Sequence, residues 1–573
     1  MVAGKKSKTM TNVPKRNVLD RIFLGCGFKE ISSDGVHFYI DGKQGEIDKI
    51  FYYENLVVIC EETKGKDKDN SHLPKKRFFH GLIRDDYLRF VKQYRAANSG
   101  FDDFCKESEY REDDFVFKHI YHSEVKEIDA SSGHVFPFLI FGKKNAIYFD
   151  SLVKTIGRSA RFEMFKYLGV ALSELGEQKI AGRSGNILVD SFNAFMLSGR
   201  QTNYPDGFYI ASFYADPKSL ISRAYVLRRD GWEHPDYSYQ RILKRNKIKK
   251  MREHLSEDEK VFVNNLIVTL PHDVTVSKLR DGKEVQLDMK DVNEVEPVSL
   301  KIPRELGVVG IIDGQHRVFS YHEGYDEFEN NIKKMRGRQN LLVTGIVFPE
   351  DYTSEQRVKF EAELFLKINN TQDTVPAELR QHLELIVKPL TPLALSKAIV
   401  DHLALNGPLK GLLQQSSLDG SDKVKTSSIV NYVLSRVVAL ESRGDNAFSK
   451  LWLSVKGEKV SESLRGEYVE FCANEINAAL VGFKKNMKKD CWLPKASSDE
   501  GVLSPTFINS VIICLREAVG GGQLSASSNG EIERPDYSVA FRGIDSSSIR
   551  QAGSSTSAWS KLGVDLYKNF LAY

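Results

Sequence analysis

The sequence predicts an α/β protein of the α+β kind, with two mixed domains ahead of a helical C-terminal region. Within the first hundred residues, a helical pattern is followed by three short strands and a second helix. Near the middle of the chain, an apolar run at 306–312 ends in Asp-Gly ahead of a short helical stretch. Beyond about residue 383 the apolar residues recur at helical spacing. We therefore expect an N-terminal domain at 1–168, a central domain at 177–395 and a helical C-terminal region at 396–573.

The composition is that of a globular protein whose charge is local rather than global. Hydrophobic residues make up 41% and charged residues 28% of the 573 residues, and the formal net charge is only +4. A contact with nucleic acid would therefore need a local basic patch. No apolar run approaches the roughly 20 residues that a membrane span needs, so we expect no membrane partner. The six cysteines form no Cys-x-x-Cys pair, which favours reduced thiols and a cytoplasmic protein.

The elements of the first domain follow from its periodicity and its turns. Apolar residues at helical spacing predict a helix at 18–23, and alternating residues predict strands beside the Asp-Gly and Glu-Asn turns. The predicted strands are 36–40, 46–53, 56–60, 113–123, 135–141 and 146–150. The next predicted helices are 82–97 and 151–168.

Two acidic residues and a lysine stand where this arrangement can support metal-dependent chemistry. Asp48 and Glu62 fall on neighbouring antiparallel strands, so their carboxylates can share one hard cation such as Mg²⁺. Glu62 and Lys64 point to the same face of a strand, where Lys64 can orient or polarise an attacking water. The alternative is that these are ordinary surface charges at the end of a solvated hairpin.

The stretch Gly-Glu-Ile-Asp at 45–48, followed by Glu-Thr-Lys at 62–64, resembles the motif of the PD-(D/E)xK nucleases. The order helix, three-strand meander, helix is also the one in which these nucleases carry their site. The resemblance implies a restriction-endonuclease-like domain with Asp48 and Glu62 as catalytic metal ligands and Lys64 as a further catalytic residue. Ile47 stands where the family name has proline, a substitution that does not exclude activity.

The turn after the central apolar run has the chemistry of an anion site. A strand that feeds a helix through a glycine presents backbone N–H groups at the helix start. Gly314 lacks a Cβ that would obstruct a phosphate, and Arg317 supplies a planar cation. His316 can donate to a phosphate or move a proton near neutral pH. The alternative is a tight turn in which Asp313 and Arg317 pair with each other.

The residues Asp-Gly-Gln-His-Arg at 313–317 are the signature of the DGQHR-domain proteins, which this chain resembles. That family includes the DndB-type proteins of DNA phosphorothioation systems and looks like a distant relative of the ParB–sulfiredoxin superfamily. Three more blocks fit in order: 208–210 leading to 228–230, 239–241, and 365–372. The resemblance implies a ParB-like domain that binds a nucleoside triphosphate or a DNA end, with His316 as a catalytic group. The residues it implies for nucleotide or phosphate binding are Gln240, Arg241, Asp313, Gly314, Gln315, Arg317, Asn369 and Gln372.

Basic residues are concentrated on the helix predicted to begin near residue 241. Seven of them fall within one helix, beside an apolar stripe. Lys247, Lys249 and Lys250 can track the phosphate backbone of DNA. A solvated helix face is the alternative.

The asparagine pair after the predicted helix at 354–369 is open to two interpretations. Asn369 and Gln372 are neutral donor–acceptors suited to a base or ribose edge, whereas Asn369 can also simply cap its helix. Three histidines show no metal-ligand spacing to an acid and are expected to be structural: His119, His122 and His134.

The two resemblances together imply a protein of a prokaryotic restriction or defence system with two active parts. One is a Mg²⁺-dependent DNA endonuclease, and the other is a DGQHR domain that binds and can hydrolyse a nucleotide, or senses DNA. The expected partners are DNA, a nucleotide, and a second copy of the chain or other defence-system subunits. The main alternative is a DndB-like DNA-binding transcriptional regulator with an inactive nuclease-like domain, and metal-dependent cleavage separates the two. A DNA-modifying enzyme ranks last, because the sequence offers no nucleophilic Cys/His pairing.

Overall fold

The protein is described by a computed structural model whose chain forms two compact units. The first comprises Met1–Val226 and Leu243–Tyr352, and the second comprises Leu227–Ile242 and Thr353–Tyr573. The structure describes residues 17–63, 72–123, 136–182, 188–226, 243–280, 283–288, 292, 294–369, 377–415, 419–441 and 446–572. The mixed α/β composition is confirmed, while the finer division into three domains stays a prediction.

The first sheet has five strands, and the predicted three-strand meander is wrong in its first strand: residues 29–31 pair with the strand at 49–53, while residues 37–40 lie outside this sheet. The first seven strands of the chain are β1 (Lys29–Ile31), β2 (His37–Ile40), β3 (Lys43–Glu46), β4 (Lys49–Tyr53), β5 (Leu56–Thr63), β6 (Val116–Ser123) and β7 (Leu139–Gly142). The sheet order is β1-β4-β5-β6-β7, and β2 and β3 form a separate hairpin. Strands β1, β4 and β5 pair antiparallel, whereas β5, β6 and β7 pair parallel. Strand β5 therefore lies at the centre, where the two kinds of pairing meet.

The predicted strand at 46–53 is wrong in one respect, because the chain forms two strands there. Strand β3 ends at Glu46 and β4 begins at Lys49. Between them Ile47 is buried, and the carbonyl of Asp48 accepts a hydrogen bond from Ser33 Oγ at 3.0 Å. This break carries the chain from the hairpin into the sheet and leaves Asp48 at the start of β4.

The helices of this part of the chain correct two more predictions. They are α1 (Val18–Gly25), α2 (His72–Asp85), α3 (Tyr87–Ala97), α4 (Ser99–Glu107), α5 (Lys143–Ile156), α6 (Arg161–Tyr167) and α7 (Gly176–Gly182). The predicted helix at 82–97 is two helices, because Asp86 leaves helical geometry and its carboxylate accepts from the N–H of Arg89 at 2.9 Å. The strand predicted at 146–150 is wrong: these residues lie in α5, where short apolar runs are ambiguous between strand and helix.

Aromatic side chains pack the hairpin against α3 and α4. Phe90 stacks on Tyr94 at a ring-centroid distance of 5.3 Å, and Phe38 of the hairpin meets Tyr94 edge to face at 4.8 Å. Phe101 of α4 also meets Tyr94 edge to face, at 5.2 Å. Such ring pairs add about 0.5–1.5 kcal/mol to the free energy gained by burial alone. These rings share one hydrophobic core with Val57 and Ile59 of β5.

The second sheet has nine strands and carries the DGQHR turn. Its strands are β8 (Val189–Leu197), β9 (Tyr209–Ala215), β10 (Ala224–Tyr225), β11 (Leu266–Leu270), β12 (Thr275–Arg280), β13 (Lys283–Gln286), β14 (Glu296–Pro303), β15 (Val309–Asp313) and β16 (Leu341–Val347). Their order is β10-β15-β11-β16-β9-β8-β14-β12-β13. The accompanying helices are α8 (Gly199–Thr202), α9 (Pro217–Arg223), α10 (Arg245–Asp258), α11 (Gln315–Phe319) and α12 (Glu329–Arg336). The predicted buried strand before the DGQHR turn is confirmed as β15, which ends directly before Gly314 and α11.

A polar junction joins the two sheet-bearing parts of the first unit. Arg161 of α6 donates from both terminal nitrogens to the carboxylate of Glu323, at 2.9 and 2.5 Å. The backbone of the same glutamate accepts from the N–H of Arg158 at 2.8 Å and donates to Ser159 Oγ at 2.9 Å. Tyr325 adds a hydrogen bond from its hydroxyl to the carbonyl of Gly25 at 3.0 Å. The loop that follows α11 is therefore fastened to the end of α1 and the start of α6.

The second unit is mainly helical. Its helices are α13 (Ser354–Asn369), α14 (Ala377–Val387), α15 (Pro392–Leu405), α16 (Ser435–Val437), α17 (Ala447–Lys456), α18 (Arg465–Lys485), α19 (Pro505–Gly520), α20 (Tyr537–Ala540), α21 (Ser546–Gln551) and α22 (Thr556–Phe570), with a π-helix at Ile429–Leu434. Two two-residue strands, β17 (Ser525–Ala526) and β18 (Ile532–Glu533), pair antiparallel. Helix α19 packs closely on α22, since a Cβ at Gly563 would lie 2.6 Å from Ile513. In the part of the chain that the structure describes, no helix is long and apolar enough to cross a membrane.

Candidate functional site

Asp48 and Glu62 lie side by side near the end of β5, as the sequence predicts. Asp48 Oδ2 accepts a hydrogen bond from the backbone N–H of Glu62 at 2.8 Å. Glu62 Oε2 accepts from Asn17 Nδ2 at 2.5 Å, and the side-chain oxygen of Asn17 caps α1. Both acids are half-buried. Asn17, at the start of α1, thus holds the Glu62 carboxylate, and the backbone of Glu62 holds the Asp48 carboxylate next to it.

The two acids face a common acidic cleft of about 320 Å³. Its lining residues are Glu30, Ser32, Ser33, Asp34, Asp48, Lys49 and Glu62. Four carboxylates therefore meet one ammonium group, so the cleft carries a net negative charge. A low-dielectric cleft lined by one sign of charge concentrates the opposite ion.

Lys49 forms ion pairs with carboxylates at the edge of this cleft. Its Nζ lies 2.5 Å from Asp20 Oδ1 and 3.7 Å from Glu30 Oε1. Burial lowers the pKa of Lys49, but the hydrogen bond and charge of Asp20, with Glu30 and Glu62, outweigh burial and raise it overall. Lys49 therefore stays cationic and partly neutralises the acidic lining.

Lys76 approaches Asp48 from the protein interior. Its Nζ lies 2.5 Å from Glu61 Oε2 and 3.6 Å from Asp48 Oδ1, and it donates to the carbonyl of Glu46 at 3.1 Å. Glu61 is fully buried. Burial raises the pKa of Glu61 to about 9, with Lys76 opposing the rise and Asp48 adding to it. Lys76 thus ties together the interior carboxyl and the cleft carboxylate.

A buried chain of hydrogen bonds extends from Glu61 into the core. His80 Nε2 lies 2.7 Å from Glu61 Oε1, and His80 Nδ1 lies 2.7 Å from His119 Nδ1. His119 Nε2 lies 3.1 Å from the hydroxyl of Tyr87. One set of neutral tautomers satisfies every contact, with Tyr87 donating to His119, His119 to His80, and His80 to Glu61. Burial lowers the pKa of His80 to about 3 and lowers that of His119 as well, so both rings are neutral.

The expectation that the histidines of this domain are structural agrees with their surroundings. His119 belongs to the buried chain, and His122 Nδ1 lies 2.6 Å from the carbonyl of Phe141. Four other predicted site residues and one histidine lie outside the described residues: Lys64, Gln240, Arg241, Gln372 and His134.

The chemistry of the cleft fits Mg²⁺ held by few protein ligands. Asp48 and Glu62 offer hard carboxylate oxygens, and Mg²⁺ commonly takes one or two carboxylates and completes its shell with water and substrate phosphate. Within the described ranges, no group of three or more His, Cys, Asp or Glu side chains is arranged to hold an ion. The donor set therefore suits a water-rich magnesium site and does not form an all-protein cage.

The DGQHR turn closes on itself through an ion pair. Arg317 Nη2 donates to Asp313 Oδ2 at 2.6 Å, four residues earlier. This is the contact that the simple-turn alternative expects. The guanidinium is 17% exposed and the carboxylate 30% exposed, so the pair sits at the surface of the turn. An incoming phosphate would have to compete with Asp313 for Arg317.

The need for glycine at position 314 is explained by the turn itself. Gly314 has a φ of +97°, which residues with a Cβ rarely adopt. A Cβ there would lie 2.3 Å from Leu266 Cδ2 and 3.1 Å from Arg317 Nη2. Access for a phosphate is therefore not required to account for this glycine.

Two polar side chains of α11 differ in their surroundings. Gln315 Oε1 is buried and accepts no hydrogen bond from any residue that the structure describes. His316 Nε2 accepts from the backbone N–H of Lys244 at 3.4 Å, which places the proton of the neutral ring on Nδ1. The DGQHR turn thus meets the residue that precedes the basic helix α10.

Helix α10 sorts its basic residues onto two faces. Lys247, Lys249 and Lys250 are exposed, as a nucleic-acid contact requires. Arg252 is fully buried: it donates to Asp326 at 2.7 and 2.8 Å and to the carbonyl of His322 at 2.8 Å. The prediction that seven basic residues could share one phosphate-tracking surface is therefore wrong for Arg252.

Asn369 is the last residue of α13, and its amide group bonds to the same helix. Its Nδ2 donates to the carbonyl of Phe365, one turn earlier, at 2.9 Å. This bond satisfies a carbonyl of the last helical turn, while the left-handed cap that the sequence left open stays a prediction. A contact of Asn369 with a base or ribose edge stays a prediction.

The interior side of the acidic cleft, which includes Lys76, Glu61 and His80, was not predicted from the sequence. A signal was present: Lys76 and His80 are one turn apart on α2, on the side that also carries Phe79 and Ile83. Polar residues on an apolar helix face indicate buried partners.

Comparison of the chain with protein-family models, with characterised proteins and with solved structures finds no match.

Proposed function

We propose that the domain with the five-stranded sheet is a Mg²⁺-dependent nuclease that cleaves DNA. The observation that supports this most directly is the pairing of Asp48 and Glu62 in one acidic cleft, each held by a hydrogen bond. The carboxylates would bind the cation, while Asn17 and Lys76 keep them in place from the protein side. Bound Mg²⁺ supplies neutralisation of phosphate charge and an activated water.

The resemblance of 45–48 and 62–64 to the PD-(D/E)xK motif supports the same proposal. Lys64 is the residue that this resemblance assigns to the attacking water. The mixed sheet, with antiparallel β4 and β5 followed by parallel β6, provides strands of the kind on which the predicted motif was placed.

A metal-dependence experiment tests the nuclease proposal. Asp48→Ala and Glu62→Ala should each lower Mg²⁺-dependent cleavage of plasmid or oligonucleotide DNA by about a hundredfold or more, since each removes a transition-state contact. Lys64→Ala should do the same. Asp103→Ala, an exposed acid on α4, serves as the matched control and should keep full activity. Cleavage that persists in EDTA, or in the Asp48 variant, would contradict the proposal.

For the central domain we propose the binding of a nucleotide or a DNA end at the DGQHR turn, as in a restriction or defence protein whose sensing module restrains a nuclease. Gln315 Oε1, which is buried and accepts no hydrogen bond from a described residue, supports a ligand there together with the adjacent His316. Hydrolysis of the nucleotide would fall to His316.

The second candidate function is a DNA-binding regulator with an inactive nuclease-like domain. The exposed lysines of α10 favour DNA binding as such and do not depend on cleavage. DNA binding without any metal-dependent cleavage of single- or double-stranded substrates would contradict the nuclease proposal and favour this regulator.

A further inference from the structure

A second, wider cleft of about 750 Å³ lies along α10 in the first unit. Four exposed cations line it: Lys244, Arg245, Lys247 and Lys250. Met251 and Phe262, both half-buried, line it as well. Lys249 is exposed on the same helix but does not line the cleft.

The charge of this cleft selects an anion. Among the described residues, none of the four cations forms an ion pair, and no carboxylate belongs to the lining. The nearby His254 also faces the cleft and lies 3.4 Å from Asp258. The buried Arg252 pairs with Asp326 and Glu329 on the buried side of α10, so these carboxylates do not neutralise the cations of the cleft. Four uncompensated cations within one cleft match a chain of phosphates better than a single one.

The apolar lining distinguishes this cleft from a surface that only follows a duplex backbone. Phe262 meets Tyr321 edge to face at 6.1 Å, and the Tyr321 hydroxyl donates to Gln339 at 2.6 Å. The ring of Phe262 is thereby positioned, and it lines the cleft together with Met251 while part of its surface stays exposed. In a duplex the base faces are already stacked and cannot reach such a ring. An unpaired base can stack on an aromatic side chain while its phosphates meet flanking cations.

We propose that this cleft binds single-stranded nucleic acid, with an unpaired base against Phe262 and Met251 and the flanking phosphates among the four cations. The volume lies within the range of pockets that hold a ligand of nucleotide size. The contact of His316 with Lys244 places the DGQHR turn at one end of the cleft. The inference specifies the form of nucleic acid in the proposed function, but it concerns binding and does not depend on cleavage.

Fluorescence anisotropy in EDTA tests the proposal, with the full-length chain carrying Asp48→Ala and Glu62→Ala. The probe is a labelled single strand of about 12 nucleotides, a length typical of such sites, beside the same sequence as a duplex. Phe262→Ala should weaken single-strand binding by about ten- to a hundredfold and leave duplex binding nearly unchanged. Phe262→Trp keeps an aromatic ring and should bind the single strand as the parent chain does. This variant separates a loss of stacking from a folding defect. Equal losses for both probes, or no single-strand binding by the parent chain, would overturn the proposal.

The salt dependence provides the electrostatic half of the test. Lys247→Gln with Lys250→Gln should make the slope of log affinity against log salt shallower by about 0.7 for each single-strand phosphate that the variant no longer neutralises. The matched control is Lys333→Gln with Lys334→Gln, which removes two charges from exposed lysines of α12 that do not line the cleft, and it should leave the slope unchanged. An equal effect of the Lys333/Lys334 control, or equal competition by an acidic polyglutamate peptide, would reduce the cleft to a general cationic surface and overturn the proposal. Because no metal is present, failure here is distinct from failure of the cleavage experiment.

Discussion

Arg317 can serve its own turn or a ligand, and the two roles make opposite demands on Asp313. In the structure the guanidinium is held by Asp313 at 2.6 Å. If the pair only closes the turn, it contributes at most about 1 kcal/mol to the free energy of unfolding, because it is partly exposed. If Arg317 binds phosphate, Asp313 competes with the ligand.

Substitutions at these two positions separate the roles. Arg317→Ala and Arg317→Lys should both abolish binding of labelled ATP, GTP or CTP in the absence of metal, since lysine loses the bidentate geometry. Asp313→Asn should strengthen binding, because it releases the guanidinium. Equilibrium dialysis measures both effects. No binding by the wild type at millimolar nucleotide, or weaker binding by Asp313→Asn, would return the pair to a structural role.

Glu61 permits a pH test of the interior side of the acidic cleft. Burial raises the pKa of its carboxyl to about 9, whereas the unfolded carboxyl ionises near its ordinary value of about 4.3. The folded state therefore holds a proton that the unfolded state lacks, and this contribution to stability declines as the pH rises toward the folded pKa. Glu61→Gln should reduce the fall in the urea midpoint between about pH 7 and about pH 9. Identical pH dependence in both proteins would mean that Glu61 is ionised beside Lys76 in the folded state.

At this scale the sequence predicted the pairing of Asp48 with Glu62 but not the residues that hold them. The pairing follows from strand period and hairpin order, which are local. Asn17 and Lys76 reach the site from α1 and α2, and Glu61 lies beside His80 only after the helix packs on β5. Such contacts depend on tertiary packing, which no local pattern contains.

At the scale of elements, local chemistry interrupted two segments that periodicity alone made continuous. The strand predicted at 46–53 is divided where Ser33 Oγ donates a hydrogen bond to the carbonyl of Asp48. The helix predicted at 82–97 is divided where Asp86 caps α3. Strands β8 and β14 were not predicted at all. Polar residues occupy many of their outward positions, so each strand is identified only when it pairs with the other over eight residue pairs.

The buried arginine of α10 permits a prediction about stability. Arg252 is 1% exposed and binds Asp326 and Glu329. Arg252→Met should destabilise the protein by about 3–5 kcal/mol, because it leaves Asp326 without its cation and Glu329 with Arg336 alone. Lys250→Met, two residues earlier and exposed, is the control and should change stability by about 0.5 kcal/mol or less. Thermal unfolding measures both, and equal melting temperatures would contradict the assignment of Arg252 to the interior.

At the scale of the whole molecule, the first unit contains both sheets and the loop that joins them. Residues 320–326 follow α11 directly and receive hydrogen bonds from Arg252 on one side and Arg161 on the other. The part of the chain with the DGQHR turn and the part with the acidic cleft therefore share one fixed segment.

A double-mutant cycle tests this junction. Arg161→Ala and Glu323→Ala should each lower the free energy of unfolding, and the double variant should lose less than the sum of the two. The coupling should be roughly 0.5–3 kcal/mol, as for contacting residues in one network. The bidentate bond and the 12% exposure of the arginine are the reasons to expect a measurable value. Additive effects in urea unfolding would show that the pair contributes nothing to the joint.

The same junction bears on how such a chain can be recombined in evolution. Gly157 has a φ of +52°, and a Cβ there would lie 2.4 Å from the carbonyl oxygen of Glu323. A new partner for either sheet would need the matching glycine, arginine and glutamate in place before it could dock. The two sheet-bearing parts are therefore expected to be inherited as one piece, with their boundary residues varying together rather than separately.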